Sequence, residues 1–148
     1  MISDKLKLYA KKEDAERIFE LVSRCVPETD INPVFLTAYT PDCHEEKTLS
    51  SDCRCVVLPE GFKVQGAEGV RVLTYSMDST KGDISALNIQ NRTNCTCFEV
   101  LYGVFMSRVF IPKESVYTPM QVFITICILC GFGASIDKLI PQINELLK

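Results

Sequence analysis

Tryptophan is absent from this chain and histidine occurs once, at His44. Histidine is the side chain whose ordinary pKa lies near neutrality, so a single imidazole limits acid–base chemistry there. Blocks of basic residues are missing as well, and the net charge is −3. Neutralising phosphates takes clustered Lys and Arg, which argues against nucleic acid as the main partner. The start, Met1-Ile-Ser-Asp-Lys-Leu-Lys-Leu, holds no apolar stretch of the length a secretory signal needs. The expectation is a cytoplasmic chain, with the nucleus as a second compartment, whose eight cysteines are thiols. On that expectation the overlapping sequons Asn91-Arg-Thr and Asn94-Cys-Thr are chance matches. Repeats and low-complexity segments are also lacking.

What is present is apolar content. At 148 residues, 47% hydrophobic and 24% charged, the chain is expected to form a single globular domain over residues 1–148. Its most apolar run is Val122–Cys130. A membrane-spanning helix needs about 20 mostly apolar residues, and this run lies between Gln121 and the polar, glycine-rich Gly131–Asp137. A buried helix is possible. Val122, Ile124, Thr125, Ile126 and Ile128, however, are types that favour a pleated strand. The reading is a central strand covered on both faces, with no membrane contact. After Gly133 the period changes. Ile136, Leu139, Ile140, Ile143 and Leu147 fall on one helical face, with Ser135 as N-cap and Asp137 in the first turn. Pro141 either kinks this helix or starts it anew.

Earlier in the chain, Ala15, Ile18, Phe19, Val22 and Val26 share one face of a helix over Lys12–Val26, which Pro27 stops. Strands are expected at Val34–Thr40, Cys53–Leu58, Val70–Met77, Asp83–Gln90, Cys97–Tyr102 and Val104–Ile111. Val70–Met77 and Asp83–Gln90 read as a hairpin around Asp78-Ser-Thr-Lys-Gly82, with Gly82 supplying positive φ and a bulge in the second strand. The fold class is therefore α+β: a largely antiparallel sheet, an N-terminal helix and a C-terminal amphipathic helix.

Chemistry-bearing residues are few. Cys43, His44, Cys53 and Cys55 offer four N/S donors, the number a structural zinc site requires. Their spacing is not that of a zinc knuckle, and Cys53-Arg-Cys55 in a strand sends both sulfurs to one face. Cys95-Thr-Cys97 is a second one-residue pair without a fixed register. Cys127-Ile-Leu-Cys130 has redox-dithiol spacing but sits in the most apolar run, where burial makes thiols inert. Gly131-Phe-Gly133 hints at a phosphate turn but lacks the third glycine and the P-loop Lys-Ser/Thr. No orienting partner for His44 and no paired carboxylates stand out. The reading is a non-enzyme with no cofactor and no metal. Such domains work most often by binding protein, and Phe105, Met106, Val109, Phe110 and Ile111 make Val104–Ile111 more apolar than a single-faced strand needs.

From Val70 onward the short words Asp78-Ser-Thr-Lys-Gly82, Glu99-Val-Leu-Tyr-Gly103 and Met120-Gln-Val-Phe-Ile-Thr-Ile, with the final helix through Leu147, follow a recognisable order. Over about residues 70–148 the chain resembles the small heterodimeric proteasome-assembly chaperones. The resemblance implies a non-catalytic protein that pairs with a homologous or identical chain and escorts proteasome α-ring subunits. Two functions follow: a dimeric protein-binding module of this kind, or a small zinc- or thiol-dependent protein using Cys43, His44, Cys53 and Cys55.

Overall fold

The computed structural model describes residues 2–25, 31, 33–43 and 48–148. After a 3-10 turn at Ile2–Lys5, the elements are β1 Leu6–Tyr9, α1 Lys12–Cys25, β2 Leu36–Tyr39, β3 Cys55–Pro59, β4 Arg71–Met77, β5 Ile84–Asn91, β6 Cys95–Tyr102, β7 Phe105–Pro112, α2 Pro119–Gly131 and α3 Ile136–Leu147. The strands form one seven-stranded sheet in chain order. The fold is α+β, with the amphipathic helices α1 and α3 near the chain's two ends as expected.

The sheet is mixed. Its junctions from β1 to β5 are parallel, and only β5–β6 and β6–β7 are antiparallel. The expected hairpin at Asp78–Gly82 is thus corrected to a parallel crossover. Parallel neighbours usually need a connection of a dozen or more residues. Here β4 and β5 overlap over only Tyr75↔Ile84, Ser76↔Ser85 and Met77↔Ala86. The chain need step back only about 7 Å, two strand residues, and residues 78–83 suffice. Asp78 supplies the positive φ, +64°. Gly82 does something else: a Cβ there would lie 2.5 Å from the carbonyl carbon of Tyr75. The bulge expected in β5 is present, between Leu87 and Gln90.

The run Val122–Cys130 is the second correction, for it is helical. Thr118 caps α2: its hydroxyl accepts from Gln121 N–H while the Gln121 amide oxygen accepts from Thr118 N–H. This is a capping box, with Pro119 in the first helical turn, where its missing N–H costs nothing. Every residue from Gln121 to Gly131 is buried. A helix apolar all round belongs inside a protein, and β-branched residues lower helix propensity by only tenths of a kcal/mol each. Burial, at about 1.5–3 kcal/mol per large apolar side chain, overrides that preference. Polar anchors fix its start: Gln121 Nε2 donates to Asp14 Oδ1 of α1 at 2.8 Å, and Thr125 Oγ1 donates to Gln121 O within the helix. Gly133, at φ +99°, turns the chain out. Pro141 lies inside α3 rather than at its start. No helix among the described residues is long and apolar enough to cross a membrane.

Strand alternation divides the core. Leu36, Ala38, Cys55, Val57, Leu73, Tyr75, Ile84, Ala86, Phe98, Val100, Val109 and Ile111 pack with α1, α2 and α3. On the opposite face Tyr39, Val56 and Leu58 pack with Leu49, Cys53, Phe62, Val64, Ala67 and Val70 from the β2–β3 and β3–β4 crossovers. That second cluster stops short of β5–β7.

A candidate protein-binding face on the antiparallel strands

Because side chains alternate along a strand, the residues of β6 and β7 that do not meet the helices face away from them. These are Cys97, Glu99 and Leu101 on β6, and Met106, Arg108 and Phe110 on β7. Their register is fixed: Cys97↔Phe110, Glu99↔Arg108, Leu101↔Met106. Met106 is 59% exposed and Phe110 40%. Val104, in the turn where Gly103 takes φ +61°, is fully exposed. Glu99 accepts a hydrogen bond from Asn88 Nδ2, an Asn held at positive φ in the β5 bulge.

Of the five residues expected to meet a partner, the structure leaves two free to do so. Val109 and Ile111 are core residues beneath the helices, and Phe105 packs partly against that core. Val109 and Ile111 are thereby corrected to structural positions, and alternation takes all three to the helix side, with Phe105 half-buried there. Met106 and Phe110 remain.

The backbone edge of β7 is partly occupied at its middle. Asn144 of α3 donates from Nδ2 to Arg108 O and accepts at Oδ1 from Phe110 N–H, both at 2.9 Å. One side-chain amide thus occupies two of the outward backbone groups that an added strand would use. Sequence reasoning missed Asn144. Its only signal is a polar residue between Ile143 and Leu147 of an amphipathic helix, and its role depends on where α3 docks.

The cysteines do not converge. Arg54 and Cys55 N–H both donate to Phe35 O, at 2.8 and 3.4 Å. With two residues set against one, β3 begins only at Cys55, so Cys53 and Cys55 reach opposite cores. The expectation of one shared face is corrected accordingly. Cys53 Sγ donates to Cys55 O at 3.2 Å, Cys43 is half-buried, and His44 lies outside the described residues. Among the described residues no three His, Cys, Asp or Glu are grouped to hold a metal. Cys127 and Cys130 are buried in α2. Burial pushes the Cys130 thiol up to about 12 and Cys127 well above its ordinary value, and it pushes Cys55 up to about 11.

Gly131-Phe-Gly133 closes α2 instead of opening a helix. Beside it lies an open cleft of about 480 Å³ lined by Arg54, Cys55 and Arg71 among others. Both guanidiniums there serve the backbone: Arg71 Nη1 donates to Gly131 O at 3.4 Å and Arg54 Nη1 to Ser51 O at 3.1 Å. Arg71 so covers a helix C-terminal carbonyl, where a cation is favourable.

No protein-family model and no curated protein matches this chain. Solved structures do. The chain is similar to MurF from Acinetobacter baumannii, at TM-score 0.51 and 9% identity in one crystal structure and 0.50 and 10% in another. It is similar too to a UDP-N-acetylmuramoyl-L-alanyl-D-glutamate–2,6-diaminopimelate ligase, at TM-score 0.53 and 11% identity. Each match covers 74% of this chain and 28% of the other, so the chain spans under a third of the length of those proteins. At such identities the likeness shows the fold alone.

Proposed function

We propose that this chain is a non-enzymatic protein-binding module that acts as a dimer and presents the uncovered face of β5–β7. The observation that carries the reading is the pairing of two features on one strand. Met106 and Phe110 stay exposed, while the edge backbone beside them is already bonded to Asn144. Recognition then runs through side chains rather than strand addition. A methionine and an aromatic flanking an arginine are residue types enriched at protein interfaces. Resemblance supplies the client to test first: proteasome α-ring subunits, met in the cytoplasm.

The experiment is mass spectrometry of proteins co-purifying with the tagged chain from its own cells, beside Met106→Glu/Phe110→Glu. The expected result is a stoichiometric partner held by the native chain and lost from the variant, with α-ring subunits among the retained proteins. Retention of the same partners by a folded variant would overturn the assignment of this face. A partner set without α-ring subunits would remove the chaperone role alone.

A further inference from the structure

Resting on that protein-binding reading, we infer that the occupant of the open face is a second copy of this chain, stacked face to face about a two-fold axis. The register of β6 with β7 makes this face self-matching. Place the axis above the sheet, parallel to the strands and midway between β6 and β7. Rotation then lays β6 of one copy over β7 of the other at the same height along the strands. Each residue meets the counterpart of its own register partner. Glu99 faces Arg108, Arg108 faces Glu99 and Leu101 faces Met106, while Phe110 lies over Cys97, which is already buried in its own copy. The face is therefore self-complementary, with an acid–base pair at its centre, Leu101 against Met106 on one side and the exposed Phe110 on the other.

The charges are available for this. Glu99 is bonded by Asn88, and among the described residues no ion pair joins it to Arg108, its neighbour across the strands. Sheets pack face to face about 10 Å apart, a span that the two long charged side chains can bridge from opposite sides. Asn144 opposes the competing arrangement, edge-to-edge pairing of β7, by holding two of its outward groups. Only β6 and β7 overlap, and two strands about 4.8 Å apart and about 26 Å long give roughly 250 Å² from each copy, roughly 500 Å² in all. That is well below the size of a stable interface, so the dimer is weak and concentration-dependent.

The test is sedimentation velocity over a concentration series with Glu99→Arg, Arg108→Glu, their equimolar mixture and the double variant. Like charges juxtaposed across an interface are strongly unfavourable, so each single variant should dimerise about tenfold or more weakly than the native chain. In the mixture one copy carries two arginines and the other two glutamates, so heterodimers should form at near-native strength. The double variant should self-associate as the native chain does, which also shows that the substitutions leave the fold intact. A native chain monomeric throughout, or a mixture no stronger than its components, overturns the inference. If the chain is monomeric while Met106→Glu/Phe110→Glu still loses a co-purifying partner, the binding face stands and only the second copy falls. If that variant loses nothing, both fall.

Discussion

Replacing Gly82 by alanine isolates the contact on which the β4–β5 crossover depends. The added methyl would lie 2.5 Å from Tyr75 C and 2.7 Å from both Ser76 N and Tyr75 Cα. Carbon atoms rest about 3.5–4.0 Å apart, so the chain at residue 82 must withdraw from β4 by about 1 Å. Every obstructing atom is backbone, and no rotamer change relieves it. The withdrawal pulls on a set of short bonds: Gly82 N–H to Ser76 Oγ at 3.0 Å, Asp83 N–H to Thr74 Oγ1 at 3.1 Å, and Thr74 N–H to Asp83 Oδ2 at 2.9 Å. Losing two or three at about 1 kcal/mol each, less about 0.5 kcal/mol from a stiffer unfolded chain, leaves a cost of about 1.5–2.5 kcal/mol. A chain of this size should then melt roughly 5–10 °C lower. Urea and thermal unfolding would measure it, with Gly69→Ala as control. Gly69 has φ +73° and nothing within 4 Å of its would-be Cβ, so that variant bears only left-handed strain of about 1–2 kcal/mol. Should Gly82→Ala unfold within about 0.5 kcal/mol of the native chain, a typical surface effect, the close-approach argument is wrong.

Asn144→Ala should lower stability by about 1 kcal/mol, since water replaces part of two exposed hydrogen bonds, and should raise light scattering as the freed β7 edge pairs between molecules; unchanged scattering on heating would show that the edge needs no guard. Glu20 accepts from the Tyr117 hydroxyl at 2.6 Å, and that bond first, with Arg17 beside it, holds its carboxyl below the ordinary carboxylate value. Its contribution is therefore complete above that ordinary value and is lost as pH falls through the lowered folded one. The stability gap between native chain and Tyr117→Phe should accordingly close below about pH 4, and a gap constant down to the acid limb of unfolding would contradict this. Of eight cysteines, six are buried and only Cys43 and Cys95 are half-exposed. A thiol reagent at mildly alkaline pH should thus modify two groups quickly and eight after denaturation, while rapid modification of Cys127 or Cys130 by peptide mapping would refute their burial.

How far the sequence could be read depended on whether a signal was local. The periodic faces of α1 and α3 are carried by spacing alone, and the structure has both. The run Val122–Cys130 misled because uniform burial erases periodicity: an apolar segment with no polar face has neither the period of a helix nor that of a strand. Its true type was written just outside it, in Thr118-Pro119-Met120-Gln121, where a cap, an N-terminal proline and a glutamine three residues after the cap mark a helix start. Residues 78–83 were legible as a turn, but a turn does not state the direction of the next strand. That direction rested on the three-pair overlap of β4 with β5, a tertiary fact. Within the candidate site, the apolar excess of β7 was visible, whereas which residues alternate outward needed the position of the helices. Asn144 needed it even more.

A sheet of seven strands has two edges and two faces, and each must be closed or put to use. The β1 edge is four residues long and carries Lys7, with Lys5 just before it, whose ammonium lies 4.1 Å from the Phe35 ring centroid; short edges bearing lysine resist pairing. The β7 edge is partly occupied by an amide. The helices cover one face entirely, and two crossovers cover the other over β2 and β3. The outward residues of β5–β7 are left, as is Val72 on β4, 43% exposed, and mere solubility would favour polar residues there. Instead Leu101, Met106 and Phe110 surround one acid and one base. At 59% and 40% exposure, covering Met106 and Phe110 is worth roughly 1–1.5 kcal/mol apiece, which the freedom lost on association largely offsets. The two together cannot hold a permanent complex. They suit a surface that binds and releases, with the charge pair deciding which partner is in register.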